Sequence, residues 1–567
     1  MAGPVAKTFD RRLILKKGAS LAWASLPLLF LVMAFFIPLV NVLLLGVRED
    51  GRWTFTRLRT IVATPYVRHL FSFTALQAFL STLLSFVLGF PLGWFLTRYS
   101  FPGKRVAQAL TLAPFVLPPI TVALGFFLFF GHTGYLNSAL KSLFGLAEPP
   151  LRILYSLWAI VLAHAFYNAP VFARFIHAGW SSLDPAWEEA CAVLGVSRTR
   201  AFLTVTLPLL LPAIFSAAAL VFVLCFLSFA IPLSLGGARY ATVEVAVYLY
   251  ARVYLDFQSA SALGLLEMLI TLGLAYLYVR GGALWAGPRE GLRPRPTVPF
   301  LSHPAHALWL PWLFLSAVFF LGPLGAVVAD SLTRPLMGKP PGLGWYKTIF
   351  SPEQNPFIGT SPLGSVLVSL EVAGLSTLLA VALGLGVSGA LKVLRSRALE
   401  AVLMAPMAVS SVVLGLALLL AFHEPPFSHL PGKFALILAH TLIFYPFVVR
   451  IVRPLWEGLA PSWVEAARTL GAHRFRAFLT VELPLLSQAV LVAGAFSLAL
   501  SLGEMTASAM LSQGELVTIP LAIYRFLSAR RFGAASAMAT LLILLTVAAV
   551  AVWEWLGERS LRAYGQA

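Results

Sequence analysis

The chain has 567 residues, of which 59% are hydrophobic and 11% charged, and its mean hydropathy is +0.86. Soluble domains average about 25% charged residues, and a soluble fold could not bury this much apolar surface, so the composition indicates a membrane protein and excludes disorder, collagen and coiled coil. The net charge is +18, but the basic residues stand in short segments between apolar runs, which favours the membrane surface over nucleic acid as their partner.

Apolar runs long enough to span a membrane, about 20 residues each, recur along the whole chain. They lie near residues 21–47, 70–97, 109–130, 154–178, 207–233, 258–280, 308–329, 364–391, 399–422, 433–453, 484–512 and 533–556. The first run is too long for a signal peptide and no small-residue cleavage site closes it, so we expect it to be retained. These runs predict an all-α polytopic membrane protein with about 12 transmembrane helices.

The basic residues also indicate an orientation. Twelve spans place both termini on one side of the membrane, and with the N-terminus inside, 25 of the 41 Lys and Arg residues fall on the inner side. This bias agrees with the positive-inside rule. We therefore predict a multi-pass membrane protein with cytoplasmic N- and C-termini.

The chain contains an internal repeat. When residue n is aligned with residue n + 276, 18 of the 28 positions from 183 to 210 are identical to their partners, including Pro, Trp, Glu, Gly and Arg residues that apolar composition alone does not explain. We predict a first half at residues 1–280, a cytoplasmic Pro/Gly/Arg-rich linker at 281–306 and a second half at 307–567. Each half has six helices, an even number, so the two six-helix repeats run parallel.

The best-matched part of the repeat is the least apolar part. It forms two loops, 183–210 and 459–486, each between the fourth and fifth span of its half and on the predicted inner side. Each loop has a Pro before a helical stretch, a Gly that can end that helix, and a Leu-Pro that opens the next span. We expect a short helix, a turn and a second helix lying under the membrane.

These loops carry a shared motif: Glu-Ala-Ala or Glu-Ala-Cys, three residues, Gly, nine residues, an aliphatic residue, one residue, then Leu-Pro. Its residues are Glu189, Ala190, Cys191 and Gly195 in the first loop, and Glu465, Ala466, Ala467 and Gly471 in the second. The motif resembles the EAA loop of ABC importer permeases. Cys191 departs from the usual second Ala but is also small.

The resemblance implies a fold, a function and partners. The implied fold is that of type I ABC importer permeases, and two halves in one chain resemble the fused permeases of ferric-iron and thiamine importers. In that family the loop docks on a cytoplasmic ATPase, so we expect two ATP-binding cassette subunits and an extracytoplasmic solute-binding protein as partners. Thiamine or ferric iron is the expected substrate, and residues 220–268 resemble the thiamine type in particular.

The sequence predicts a transport subunit, not an enzyme. No Gly-Lys pair is part of a phosphate-binding P-loop, no catalytic or metal-binding motif is present, and no cofactor is implied. ATP hydrolysis therefore belongs to separate subunits. An ion-gradient-driven secondary transporter, which can also have twelve spans in parallel halves, is the alternative; it predicts a coupling-ion site in the membrane and no ATPase contact.

Acidic residues inside spans are costly and are candidates for the solute path. Three glutamates stand in predicted spans: Glu267, Glu371 and Glu504. Thiamine is cationic and ferric iron prefers oxygen ligands, so a carboxylate suits either solute. The alternative for each glutamate is a hydrogen-bonded contact between helices.

Overall fold

The computed structural model is helical almost throughout, and it describes residues 25–49, 52–104, 107–108, 117–284, 296–336, 340–425, 427–514 and 516–564. In the first half the elements are α1 (Ser25–Leu45), β1 (Arg48–Glu49), β2 (Arg52–Trp53), α2 (Thr56–Ala63), α3 (Pro65–Arg98), β3 (Tyr99–Ser100), α4 (Pro119–Phe130), α5 (Tyr135–Phe144), α6 (Leu157–Ser181), α7 (Ala186–Val193), α8 (Arg198–Ala201), α9 (Leu207–Phe226), α10 (Val243–Arg252) and α11 (Phe257–Leu284).

The remaining elements follow the linker. They are β4 (Val298–Pro299), α12 (Leu310–Thr333), α13 (Gly344–Ile349), α14 (Pro362–Leu394), α15 (Arg397–Leu403), α16 (Ser411–Ala421), α17 (Gly432–Gly458), α18 (Pro461–Thr469), α19 (Arg474–Ala477), α20 (Leu483–Gly503), α21 (Thr506–Leu511), α22 (Ile519–Ser528) and α23 (Phe532–Tyr564). The strands are only two residues long, and β3 pairs in parallel with β4.

The predicted fold class is confirmed. Within the described residues, eleven helices are long and apolar enough to cross a membrane, counting α4 and α5 as one. The predicted span 399–422 is not one helix: α15 ends at Leu403, a short 3-10 turn covers Ala405–Ala408, and α16 begins after Ser410. Pro406 and the extended backbone at Val409 and Ser410 interrupt the helix here, and the Ser410 Oγ caps the new helix by accepting a hydrogen bond from Val413 N.

Two further predicted spans have different bounds in the structure. The helix predicted for 484–512 ends at Gly503, and a separate short helix, α21, follows the extended residue Glu504. The described helix of the span predicted for 109–130 begins at Pro119, and residues 109–116 lie outside the described part of the chain. Hydropathy reports composition and cannot register such breaks.

The chain divides into two compact units. The first unit comprises residues 52–347 and 526–540, and the second comprises the residues up to 51, 348–525 and 541–567. The units do not coincide with the sequence halves, because α12 belongs to the first unit and α1 to the second. The predicted boundaries of the two halves, at 280 and 307, follow from the repeat in the sequence, and they remain a prediction.

The helices α1 and α12, each of which belongs to the unit formed mainly by the other half, are similar in sequence. At an offset of 284, Leu26-Pro27, Leu29–Leu31 and Phe35-Phe36 are identical to Leu310-Pro311, Leu313–Leu315 and Phe319-Phe320. α12, from the second half of the sequence, packs against α4, the short third span of the first half. In the same way α1 packs against α16, the short third span of the second half. The repeat therefore extends from the loops to the first helix of each half.

Close helix contacts in each unit depend on glycine. A Cβ added at Gly89 of α3 would lie 2.3 Å from the Ala169 carbonyl oxygen of α6, and one added at Gly384 of α14 would lie 2.6 Å from the Val448 side chain of α17. Small residues allow two membrane helices to approach until their backbones touch. Ala169 and Val448 are not repeat partners, but the position aligned with Ala169 lies one helical turn from Val448 on α17. Because α6 and α17 are related by the repeat, both halves use the same packing.

Candidate functional site

The first loop folds as a short helix followed by a left-handed turn. Asp184 Oδ1 accepts a hydrogen bond from Ala186 N at the start of α7. The helix ends at Gly195, whose φ is +73°, and Val196 N donates to Cys191 O over 2.9 Å. A left-handed residue at this place favours glycine because it has no Cβ to clash with the backbone.

The second loop repeats this geometry. After α18, Gly471 has a φ of +89°, and Ala472 N donates to Ala467 O over 3.0 Å. In both loops the glycine is followed by a four-residue helix, α8 or α19, and then by a π-helical turn that leads into a long apolar helix. The sequence repeat is thus a structural repeat, and it places the motif residues at matching positions.

Both loops expose apolar side chains. No residue of α7 or α18 is buried. In the first loop Val193 is 88% exposed and Leu194 79%, while in the second Leu470 is 88% exposed and Trp463 59%. Glu189 and Glu465 are exposed on the same short helices. Exposed apolar residues grouped beside charged ones are typical of surfaces that bind another protein.

The second loop is tied to the membrane helices by a carboxylate. Glu482 Oε1 accepts hydrogen bonds from Lys392 Nζ of α14 and from Trp456 Nε1 of α17, each 2.8 Å long. In the first loop the repeat partner of Glu482 is Thr206, which donates to Glu188 Oε1 over 3.2 Å, a contact within the loop itself. Sequence reasoning did not find the Glu482 contacts, since their partners are 90 and 26 residues away.

We expect Lys392→Met to destabilise the protein. The variant leaves the Glu482 carboxylate, only 14% exposed, without its cation, at a cost on the order of 1–2 kcal/mol. The matched control is Lys433→Met, because the Lys433–Glu371 pair is 37% and 47% exposed and exposed pairs contribute less than about 1 kcal/mol. Thermal unfolding of the purified chain measures both, and an equal loss in the two variants would show that Glu482 is not held as described.

Polar clusters join the membrane helices of each half at matching positions. In the first half, Ser81 Oγ lies 3.1 Å from His164 Nδ1, and Asn168 Nδ2 donates to Cys225 Sγ. In the second half, His440 Nδ1 lies 2.7 Å from Ser501 Oγ, which also bonds Ser376 Oγ at 3.0 Å. His164 and His440 are repeat partners, as are Cys225 and Ser501. These histidines therefore form helix–helix contacts that the duplicated fold shares.

The three glutamates predicted in spans have different surroundings. Glu371 is half-exposed and pairs with Lys433 Nζ at 2.8 Å. Glu504 lies in the break after α20, where its carboxylate accepts hydrogen bonds from the backbone N–H groups of Thr506, Ala507 and Ser508. Its position is therefore not inside a span as predicted; it caps α21.

Glu267 has the most buried carboxyl of the three. It is 1% exposed on α11, in the first unit, while Glu371 and Glu504 belong to the second. Glu244, also 1% exposed, lies near Glu267, and within the described residues neither oxygen of the Glu267 carboxyl has a hydrogen-bond partner. The repeat partners of these two residues are Pro520 and Ile543, so the fold shared by the halves does not require the acidic pair.

The sequence analysis missed Glu244, although it is the single acidic residue in the apolar stretch 241–251. Among the described residues, no group of three or more His, Cys, Asp or Glu side chains could hold a metal ion. The acidic pair and the two loops are therefore the features of the described chain that differ most from plain helix packing.

The described chain is a polytopic helical protein with two repeat-related loops, and this arrangement fits the permease subunit of a membrane transporter. The chain belongs to the family described as binding-protein-dependent transport system inner membrane component, whose model matches residues 89–280 and again residues 380–562. The two matches confirm the fused, two-half organisation, and the family confirms a multi-pass protein of the inner membrane and a permease of an ABC importer.

Similar proteins include permeases that match most of this chain. The chain is 27% identical to the thiamine transport system permease protein ThiP of Escherichia coli (strain K12) over 516 residues, which cover 88% of this chain and 90% of that protein. It is 27% identical to ThiP of Haemophilus influenzae over 501 residues, 85% and 87% of the two chains. A putative 2-aminoethylphosphonate permease, PhnU of Salmonella paratyphi A, is 30% identical over 280 residues, 49% of this chain and 94% of that one.

Solved structures of ABC transporters match about half of the chain. A bacterial alginate ABC transporter in complex with an alginate-bound periplasmic protein shares 17% sequence identity, with a TM-score of 0.40, over 49% of this chain and 96% of that chain. A second structure of an alginate importer has the same TM-score with 16% identity, over 50% and 100% of the two chains.

Proposed function

We propose that this protein is the permease subunit of a thiamine importer, and that its two EAA loops couple it to two cytoplasmic ATP-binding cassette subunits. The proposal of coupling rests on the matched pair of loops, which present exposed apolar residues and a glutamate at the same positions. The chain contributes no ATP hydrolysis of its own in this account, and an extracytoplasmic solute-binding protein delivers the substrate.

The substrate assignment rests on similarity and charge. The thiamine permeases that the chain resembles match it over both halves, and thiamine is a cation, which the buried acidic pair of Glu244 and Glu267 would suit. Ferric iron, the second candidate, also suits carboxylates. We place Glu267 in the solute path on this basis, and assign Glu371 and Glu504 no contact with solute because each has a structural partner.

The proposed mechanism is alternating access. ATP binding closes the two ATPase subunits against each other, the docked loops follow, and the helices joined to them open the path towards the binding protein. The loops must lie on the cytoplasmic side for this to work, which requires cytoplasmic N- and C-termini. Glu482 would transmit the movement of the second loop to α14 and α17 through Lys392 and Trp456.

The test is uptake by the complete complex. The chain is reconstituted with its ATPase subunits and binding protein in vesicles, and we expect ATP-dependent accumulation of thiamine that stops when hydrolysis is blocked and persists with an uncoupler. Accumulation of ferric iron instead would reassign the substrate. Uptake that continues without hydrolysis but stops with an uncoupler would support the secondary transporter and contradict the proposal.

We expect Glu267→Gln to lower thiamine uptake at least tenfold while ATP hydrolysis continues. The amide keeps the shape of the side chain but cannot take on the negative charge that would balance a bound cation, a change worth more than about 1.4 kcal/mol in a buried site. Glu148→Gln is the control, because Glu148 is 75% exposed and forms an exposed pair with Arg152, four residues along the chain. Unchanged uptake in Glu267→Gln would remove this residue from the solute path.

A further inference from the structure

A large cavity lined by charged and apolar side chains lies beside the second loop, within the second unit. Its volume is about 1470 Å³, and the ends of α14 and α17 and the loop helices α18 and α19 form its walls. Six cationic and four anionic side chains line it, which leaves a surplus of two positive charges. The cavity is therefore basic as well as large.

Most of its carboxylates are already neutralised. Glu482 pairs with Lys392, and Glu400 and Glu457 both pair with Arg453, at 2.6 and 2.7 Å. The other cations on the wall are four arginines that form no ion pair within the described part of the chain: Arg395, Arg397, Arg468 and Arg474. Four guanidinium groups therefore face one cavity in which Glu465 is the remaining acidic group.

The repeat shows that the fold does not require this many cations beside the loop. The first loop has a corresponding cavity of about 550 Å³, in which Trp180, Arg198 and Phe202 are the repeat partners of Trp456, Arg474 and Phe478. There Ala192 stands at the position of Arg468, and Val298 and His306 contribute to the wall. Arg98 and Arg198 are the two arginines of that wall and Glu188 is its one carboxylate. The shared residues form the shell of both cavities, and the second cavity has four more cationic side chains than the first.

We propose that the second cavity binds a phosphate-bearing anion, and that its occupant is the headgroup of an acidic phospholipid. Guanidinium groups match the geometry of phosphate oxygens and form paired hydrogen bonds with them. Phe478 and Leu485, at the start of the apolar helix α20, line the same cavity and offer an apolar surface beside the headgroup. In the orientation proposed above, the lipid belongs to the cytoplasmic leaflet, and it would hold the second loop against the membrane.

The test compares lipid binding by the purified full-length chain and two variants. Arg397→Gln combined with Arg468→Gln removes two cavity charges while leaving Arg395, which has a φ of +45°, in place. Arg476→Gln is the matched control, because Arg476 lies on α19 next to Arg474 but does not line the cavity. Short-chain phosphatidylglycerol, short-chain phosphatidylcholine and pyrophosphate are the three probes, and equal melting temperatures confirm that the variants are folded.

We expect phosphatidylglycerol to bind the wild-type chain more tightly than phosphatidylcholine does, and the double variant to weaken its binding by roughly twentyfold, or about four- to fivefold for each arginine. The control should change it by less than twofold. If pyrophosphate binds as tightly as phosphatidylglycerol, the ligand is a soluble phosphate compound and the lipid assignment is wrong. Equal binding of both lipids, or no loss in the double variant, would overturn the site itself. Neither outcome depends on the transported solute or on an ATPase.

Discussion

The Gly471→Asp variant is expected to hydrolyse ATP in the assembled complex but to import less than a tenth of the wild-type amount of solute. Gly471 has a φ of +89°, and no atom lies within 4 Å of an added Cβ. Asp adopts this backbone conformation better than most residues, so the loop still folds. The added carboxylate stands in the proposed docking surface, one residue from Leu470, and would disturb the contact with the ATPase.

Two substitutions separate charge from backbone strain in this experiment. Gly471→Asn makes a similar demand on the backbone without adding charge, and it should retain at least half of the uptake. Gly145→Asp places the same charge at another left-handed glycine, with φ +63° and open space around it, outside both loops. Uptake is measured beside ATP hydrolysis in the same vesicles. Normal uptake by Gly471→Asp would show that this turn takes no part in coupling.

The Gly89→Ala variant should lose stability by about 1–3 kcal/mol, the usual range for overpacking a close contact. Its Cβ would lie 2.3 Å from the Ala169 carbonyl oxygen and 2.6 Å from the Phe172 Cβ, so α3 and α6 must separate. Gly374→Ala is the control, because an added Cβ there has no neighbour within 4 Å and alanine favours the helix over glycine.

Thermal unfolding of the purified chains measures this difference. We expect a clearly lower melting temperature and a smaller folded yield for Gly89→Ala, and a melting temperature equal to or above that of the wild type for Gly374→Ala. If both variants melt with the wild type, α3 and α6 do not pack at the distance described.

Much of the fold and of the coupling loops follows from the sequence for physical reasons. Glycine, proline and tryptophan are specific in their backbone and packing demands, so their shared spacing at Gly195 and Gly471 predicted two equal turns, and both have a positive φ. Hydropathy located the long helices because lipid-facing residues must be apolar. It could not locate the breaks at Glu504 and near Pro406, where a cap or a proline ends a helix inside a continuous apolar run.

The composition of the two units could not be predicted from the same pattern. α1 and α12 have the same Leu-Pro and Phe-Phe pairs. The sequence therefore does not show which of them packs against α4 and which against α16. The contacts of Glu482 and the proximity of Glu244 to Glu267 also depend on side chains far apart in the chain. An acidic residue in an apolar stretch was a usable signal for Glu244, and it was not used.

Labelling of the native cysteines tests the central claim most directly. The chain has two: Cys191 in the first loop, which is partly exposed, and Cys225, which is buried. A membrane-impermeant maleimide should label Cys191 in inside-out vesicles but not in right-side-out vesicles, and bound ATPase subunits should protect it. Labelling from the outer side, or labelling that bound ATPase leaves unchanged, would contradict the account.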